Sequence, residues 1–276
     1  VTEWPVRKLS DIAEIRVSNV DKKTQPSELP VQLCNYMDVY SNDYVTGRIE
    51  FMQASATKAE IERFGLKIGD IVITKDSETP DDIGIPALVA EAIDRLVCGY
   101  HLALIRPDRD EVDPGYLAKR LGADDVARYF GALASGSTRF GLPISAVEAL
   151  PISLPPLAQQ EKIFEILSMV DRAIEQTEAL IAKQKRIRVG LMQNLLTRGI
   201  GENGTLRSER THGFKPSSLG RIPDDWEAQP LSSIADLQVG FAFKSTWFSE
   251  KGTRLLRGEN VGTGIPNWSD GACQHI

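Results

Sequence analysis

The sequence predicts an α+β fold: a domain that is mostly sheet with helices late in the chain, one long helix suited to a coiled coil, and the start of a second domain like the first. Three observations lead there. Short β-branched runs interleave with amphipathic helical stretches up to about residue 150. A stretch from Ala158 to Thr197 then lacks proline and repeats apolar residues at three/four spacing. Finally, Trp4, Leu9, Ser10, Ile12 and Ala13 return as Trp226, Leu231, Ser232, Ile234 and Ala235, 222 positions later. Glu14-Ile15 returns conservatively as Asp236-Leu237. That period far exceeds the roughly 20–50 residues of solenoid repeats, so it predicts duplication of a whole domain.

Taken in order, Val31 to Tyr40 carries the mixed alternation of a strand, closed by Ser41-Asn-Asp. Thr57 to Phe64 reads as a short amphipathic helix, with Ile61 and Phe64 three apart. Gly69-Asp-Ile-Val-Ile-Thr-Lys is a turn followed by a β-branched strand. Ile85 to Val89 and Leu96 to Ile105 are further strands. Helices follow at Tyr116 to Leu121, before Gly122, and at Asp124 to Leu133, before a Gly/Ser loop.

Leu150-Pro-Ile-Ser-Leu-Pro-Pro-Leu forces an extended approach, and Pro156 fits a first helical turn. Along the helix that follows, Ile163, Leu167, Val170, Ile174, Ile181, Ile187, Leu191 and Leu195 form an apolar stripe. Arg198-Gly199 supplies the stop. Some 40 residues at about 1.5 Å each give a rod roughly 60 Å long. Such a rod cannot bury its stripe in itself, so it calls for a partner helix; the alternative is a core helix of one globular domain. Glu202 to Ser218 is polar and reads as a linker. The expected organisation is a first domain at 1–155, the long helix at 156–199, a linker at 200–222, and an incomplete second domain at 223–276.

A hydrophobic fraction of 42% and a charged fraction of 25% are those of an ordinary globular chain. No stretch approaches the roughly 20 apolar residues of a membrane span, and the opening Val-Thr-Glu-Trp has no signal core, which predicts a cytoplasmic protein. Cys34, Cys98 and Cys273 are widely spaced and read as reduced thiols. Charge is uneven. Residues 1–155 hold 17 Lys/Arg against 24 Asp/Glu, residues 156–222 hold 11 against 7, and residues 223–276 hold 4 against 7. The first domain thus lacks the basic excess of a stand-alone nucleic-acid binder. Any DNA contact must rest on local patches or on a basic partner.

Catalytic constellations are missing from the sequence. There is no G-x-x-x-x-G-K-[ST] phosphate loop and no Asn-Pro-Pro-Tyr-type adenine methyltransferase motif. His101, His212 and His275 have no metal-ligand spacing. Asp21-Lys22-Lys23 supplies half of a nuclease motif without its upstream Pro-Asp, and reads as a solvated charge run.

Three segments together resemble the DNA specificity subunit of type I restriction–modification systems. One is Leu154-Pro-Pro-Leu-Ala-Gln-Gln-Glu-Lys-Ile with the long helix ending Leu191-Met-Gln-Asn-Leu-Leu-Thr-Arg-Gly. Another is Leu219-Gly-Arg-Ile-Pro-Asp-Asp-Trp, similar to the entry into a second target-recognition domain. The last is Gly240-Phe-Ala-Phe-Lys-Ser through Leu255-Leu-Arg-Gly-Glu-Asn-Val. Gln159 departs from the family, which usually has an acidic residue there, and the second recognition domain is short. The resemblance implies an adaptor that is not itself an enzyme. Each recognition domain would read one half of a split double-stranded DNA site, while paired helices fix the gap. Methyltransferase subunits carrying S-adenosylmethionine would dock on this scaffold and a separate restriction (motor) subunit would cut. The chain itself would need no cofactor and no metal.

For DNA contact the best loop is Gly136-Ser137-Thr138-Arg139. Glycine permits close backbone approach, hydroxyls can meet phosphate, and arginine can pair with phosphate or guanine. The loop is equally well an exposed helix-to-strand connection. Lys75 at a strand end and Arg128 on the late helix are further candidates, or ordinary surface charges. Tyr36 and Tyr40 suit base contact or sheet packing. Phe243 and Lys244 belong to the incomplete second copy, where a recognition role requires a partner that completes the fold. Ile163, Leu167, Val170, Ile174, Ile181, Leu191 and Leu195 are the helix-pairing residues, through a second helix or a homodimer. Lys183, Lys185, Arg186 and Arg188 suit a DNA-facing, subunit-facing or solvated flank. Two other readings remain: a detached recognition module of a fused restriction–methylation enzyme, and a structural coiled-coil dimer.

Overall fold

A computed structural model describes residues 4–262, 265–268 and 274–276, which leaves Cys273 outside. The chain forms two compact units, Val1–Lys183 and Gln184–Ile276, so the boundary falls within the long helix.

In the first unit, β1 (Val6–Lys8), β2 (Ala13–Val17) and β3 (Leu29–Cys34) lead into α1 (Tyr36–Tyr40). β4 (Tyr44–Val45), β5 (Met52–Ala56) and α2 (Lys58–Phe64) come next. β6 (Ile71–Thr74), β7 (Asp76–Ser77), β8 (Pro86–Val89), β9 (Leu96–Cys98) and β10 (Leu102–Pro107) complete most of the sheet. The late part is α3 (Pro114–Leu121), α4 (Asp124–Leu133), β11 (Phe140–Gly141), α5 (Ile144–Glu148) and β12 (Pro151–Ser153), followed by α6 (Leu157–Arg198).

The expected α+β domain is present. A five-stranded sheet runs in the order β2-β10-β6-β8-β4, with only β4 and β8 parallel. A three-stranded sheet runs β5-β3-β9. Alternation on the central strands explains how the layers stack. Ile71, Ile73, Ala103 and Ile105 point into one core, shared with Leu117, Leu121, Val126 and Phe130 of α3 and α4. Val72, Leu102 and Leu104 point into another, shared with Val31, Leu33, Val97 and Phe64. Because side chains alternate every residue, a sheet buried on both faces reads as a continuous apolar run. That is the character of Ile71-Val-Ile and Leu102-Ala-Leu-Ile.

Two elements differ from the sequence expectation. Residues 36–40, expected as strand, are helical: the Asp38 carboxylate accepts from the Asn35 backbone N–H at 2.7 Å, turning the chain at the end of β3. This polar local hydrogen bond competes with sheet pairing. The expected strand 96–105 is two strands in different sheets, because Gly99 N–H donates to the Cys34 carbonyl at 2.9 Å and Leu102 N–H to that of Gly99 at 3.1 Å. A side chain at Gly99 would collide with the Cys34 carbonyl. Cys34 and Cys98 are buried free thiols, and burial raises both pKa values.

α6 runs for 42 residues, one residue beyond the proline-free stretch 158–197 at either end and within the expected helix segment 156–199. Its start is locked to the first domain. Gln160, 1% exposed, accepts from Asp113 N–H at 2.9 Å and donates to the Pro155 carbonyl at 2.8 Å. β12 pairs with β1, so the N-terminal strand and the approach to α6 form one ladder. Farther along, Asp171 accepts from the Tyr44 hydroxyl at 2.7 Å and pairs with Lys119 at 2.6 Å.

In the second unit, the segment expected as linker contains a hairpin, β13 (Phe214–Ser217) and β14 (Gly220–Pro223). Its turn places Gly220 at φ +97°, a conformation glycine tolerates best. β15 (Ser249–Leu255) pairs with β16 (Gln274–His275). Within the sequence repeat, Leu9–Asp11 and Leu231–Ser233 each form a single 3-10 turn, whereas the strands that flank the first turn, β1 and β2, have no counterpart beside the second among the described residues. Ile12 closes the first at φ −126°, ψ −2°, and Ile234 the second at φ −124°, ψ −8°. Their surroundings differ. Leu9 and Ile12 are fully buried, whereas Leu231 is 56% and Ile234 70% exposed.

Candidate nucleic-acid interface

Topology gathers one polar cluster at one end of the first domain. β10 is antiparallel to β6 with Leu102 opposite Thr74, so His101 and Lys75 emerge at the same edge. The Cys34–Gly99 contact brings Tyr36 to that edge as well. β11 pairs with β7, Phe140 opposite Ser77, which draws in the loop 135–139. Lys75 is the hinge: its N–H donates to the His101 carbonyl at 2.9 Å, and its own carbonyl accepts from Leu142 N–H at 2.8 Å.

The loop itself depends on Gly136. Its φ is +147°, and a Cβ there would collide with the Arg139 carbonyl. Ser137, Thr138 and Arg139 are all exposed on the tight turn that results.

Asp76 ties the cluster together. One oxygen pairs with Lys75 Nζ at 2.9 Å and the other with His101 Nδ1 at 2.7 Å. Burial alone would raise its pKa, but the hydrogen bonds from His101 and Lys75, with the Lys75 charge, outweigh that and hold it below the ordinary carboxylate value. Arg139 Nη2 lies 3.5 Å from His101 Nδ1, and the Tyr100 ring packs against the imidazole. Tyr36 and Tyr40, four apart on α1, stack with centroids 5.5 Å apart. The Tyr40 hydroxyl donates to Asp82 at 2.7 Å. Burial raises the Tyr36 pKa, while a hydrogen bond from Ser77 and the charge of Arg139 oppose the rise.

Of the sequence candidates, Tyr36, Lys75, Ser137, Thr138 and Arg139 meet here. Arg128 is exposed on α4, one turn before Gly131, which packs against the Pro80 carbonyl. His101 and Asp76 were missed, because neither carries a motif; only β6–β10 pairing makes them neighbours. Asp21–Lys23 is an exposed turn closed by Lys23 N–H donating to Asp21 at 2.9 Å. Among the described residues no group of His, Cys, Asp or Glu is arranged to hold a metal ion. No described helix is long and apolar enough to cross a membrane.

On α6, Ile163 packs against the core that α3 and α4 share with the sheet. The other pairing candidates, Leu167, Val170, Ile174, Ile181, Leu191 and Leu195, are 39–53% exposed. Lys183, Lys185, Arg186 and Arg188 are exposed as well. In the second unit, Phe241, Phe243 and Trp247 cluster, with Lys244 over the Trp247 ring.

The first unit is thus a mixed-sheet domain with a polar, aromatic loop edge, joined to a long helix whose apolar stripe is exposed. The family model for the type I restriction modification DNA specificity domain matches residues 2–184, and the chain belongs to that family. It is 25% identical over 234 residues to the putative type I restriction enzyme MjaX specificity subunit of Methanocaldococcus jannaschii, across 84% of this chain and 52% of that protein. It is 36% identical over 121 residues to the MjaVIII specificity subunit of the same organism, across 44% of this chain and 27% of that protein. The chain thus spans about half the length, or less, of these curated relatives. A solved chain from a type I restriction–modification system superposes with a TM-score of 0.52 at 16% identity, over 91% of this chain and 60% of that one. That likeness concerns the fold.

Proposed function

We propose that this chain is a sequence-reading, non-catalytic specificity subunit, or half of one, in a cytoplasmic type I restriction–modification complex. The first domain reads one half of a bipartite double-stranded DNA site through the edge formed by Tyr36, Lys75, Ser137, Thr138 and Arg139. The observation that carries this reading is the convergence of three segments distant in sequence, at Tyr36, Lys75 and 137–139, on one polar edge. Phosphate contacts from hydroxyls and lysine would set register, and arginine and aromatic groups would meet base edges. The exposed stripe of α6 supports pairing with a second long helix, in a homodimer or within a longer subunit, and this pair would scaffold the methyltransferase subunits. S-adenosylmethionine would reside on those subunits, and cutting would belong to a separate restriction subunit. The repeated turn at Leu231–Ser233 opens a second recognition domain.

The test is binding to specific and random duplexes, with and without methyltransferase subunits. The first domain's acidic excess predicts weak binding by the chain alone and tight, specific binding in the complex. Nanomolar specific binding by the isolated chain at physiological salt would contradict this account. A fused-enzyme module predicts the same affinity with or without separate subunits.

A further inference from the structure

The proton on His101 can be placed from its neighbours. Asp76 is a carboxylate and has no hydrogen to give, so the 2.7 Å contact requires the hydrogen on Nδ1 of the imidazole. Arg139 Nη2, 3.5 Å from the same nitrogen, is a donor only and cannot take that hydrogen. Lys75 Nζ, at 2.9 Å, occupies the other Asp76 oxygen and holds the carboxylate in place. Tyr100 packs against the imidazole ring. In the neutral ring, Nε2 then carries a lone pair. Among the described residues nothing hydrogen-bonds it.

We propose that His101, its tautomer fixed by Asp76, reads an amino base at one position of the DNA site by accepting a hydrogen bond at Nε2. The proposal rests on the DNA-reading function above. In the major groove adenine and cytosine present an exocyclic N–H donor, while guanine and thymine present a carbonyl acceptor. A fixed acceptor therefore selects adenine or cytosine over guanine or thymine on one strand. Arg139 beside it is the complement, a donor fork suited to guanine or phosphate. The edge would thus hold an acceptor and a donor side by side, able to distinguish adjacent bases. Asp76 is the positioning residue: it touches no base, and without it the ring is free to exchange tautomers and turn.

The experiment is selection from a randomised duplex library by the full chain assembled with its methyltransferase subunits. The wild type should show one position preferring adenine or cytosine by a factor on the order of ten. His101→Leu should lose that preference at that position alone, and His101→Arg should turn it toward guanine or thymine. Asp76→Asn keeps an acceptor for Nδ1–H and should retain the preference, whereas Asp76→Ala should relax it. Thermal melting monitors folding of each variant, and should His101→Leu not fold, the two Asp76 variants decide. Unchanged selection at every position in His101→Leu, or in Asp76→Ala, overturns the proposal. So does a wild-type preference for guanine or thymine at the His101-dependent position, since that requires a donor. A wild-type complex that selects no sequence would instead refute the DNA-reading function itself, and this proposal with it.

Discussion

Replacing Gln160 with leucine removes the side chain that locks α6 to the first domain while nearly preserving its volume. In the native structure its amide satisfies two backbone groups, Asp113 N–H at 2.9 Å and the Pro155 carbonyl at 2.8 Å. Its third contact, to the Glu111 carbonyl at 3.5 Å, is long and adds little. At 1% exposure the site admits little solvent to replace either partner. Each orphaned group costs about 1–3 kcal/mol, and leucine's added apolar burial offsets about 1 kcal/mol. The net loss is about 1–5 kcal/mol. For a unit of this size each kcal/mol lowers the melting temperature by roughly 2–4 °C, so the expected drop is roughly 2–20 °C. The assay is thermal melting combined with amide exchange. The Asp113 amide, N-cap of α3, should lose protection before the strands of the five-stranded sheet do. A melting temperature within 2 °C of wild type, with Asp113 still protected, would refute the assignment of Gln160 as the lock.

Other substitutions test other parts of the structure. Gly136→Ala forces a Cβ against the Arg139 carbonyl at φ +147° and should weaken DNA binding by the complex about tenfold, with little change in the melt of the sheet core. Asp171 is opposed by burial but held below its ordinary value of 3.8 by Lys119 and Tyr44. Its stabilising contribution is therefore present above that value and is lost as the pH falls through the lower folded value. Stability of Asp171→Asn should trail wild type at pH 7, and the gap should narrow as the pH falls below 3.8, as urea titrations would show. Ile174→Glu with Ile181→Glu places charge on an exposed stripe, so the first-domain melt should hold while self-association in sedimentation falls; undiminished association would place the pairing face elsewhere.

Much of this architecture is legible in local pattern. α4 begins and ends where its Asp124 start and the following Gly/Ser loop indicate, and the 42-residue α6 follows from an apolar stripe uninterrupted by proline. What was not legible depends on partners distant in sequence. Tyr36 to Tyr40 has strand composition, yet one carboxylate at Asp38 bends it into helix and thereby stacks two tyrosines. Leu96 to Ile105 is apolar throughout except for Gly99-Tyr100-His101, where the chain passes from one sheet to the other. The same holds for the candidate interface. Glycine and arginine marked the 136–139 loop, but Asp76 and His101 became visible only when β6 and β10 were placed side by side. Of the domain duplication that the repeat at 222-residue spacing predicts, the two copies share one 3-10 turn. Its composition could not show that Leu9 is buried and Leu231 exposed.

The most direct measurement is equilibrium binding of a labelled duplex carrying the selected site, compared with a scrambled duplex, at physiological salt. It would be made for the chain alone and for the chain assembled with methyltransferase subunits. The account predicts weak, unselective binding by the chain alone and, in the complex, preference for the selected site by at least about a thousandfold. It further predicts that Arg139→Ala removes most of that preference while the complex stays assembled. Equal affinity of the complex for both duplexes, or full selectivity without Arg139, would contradict it.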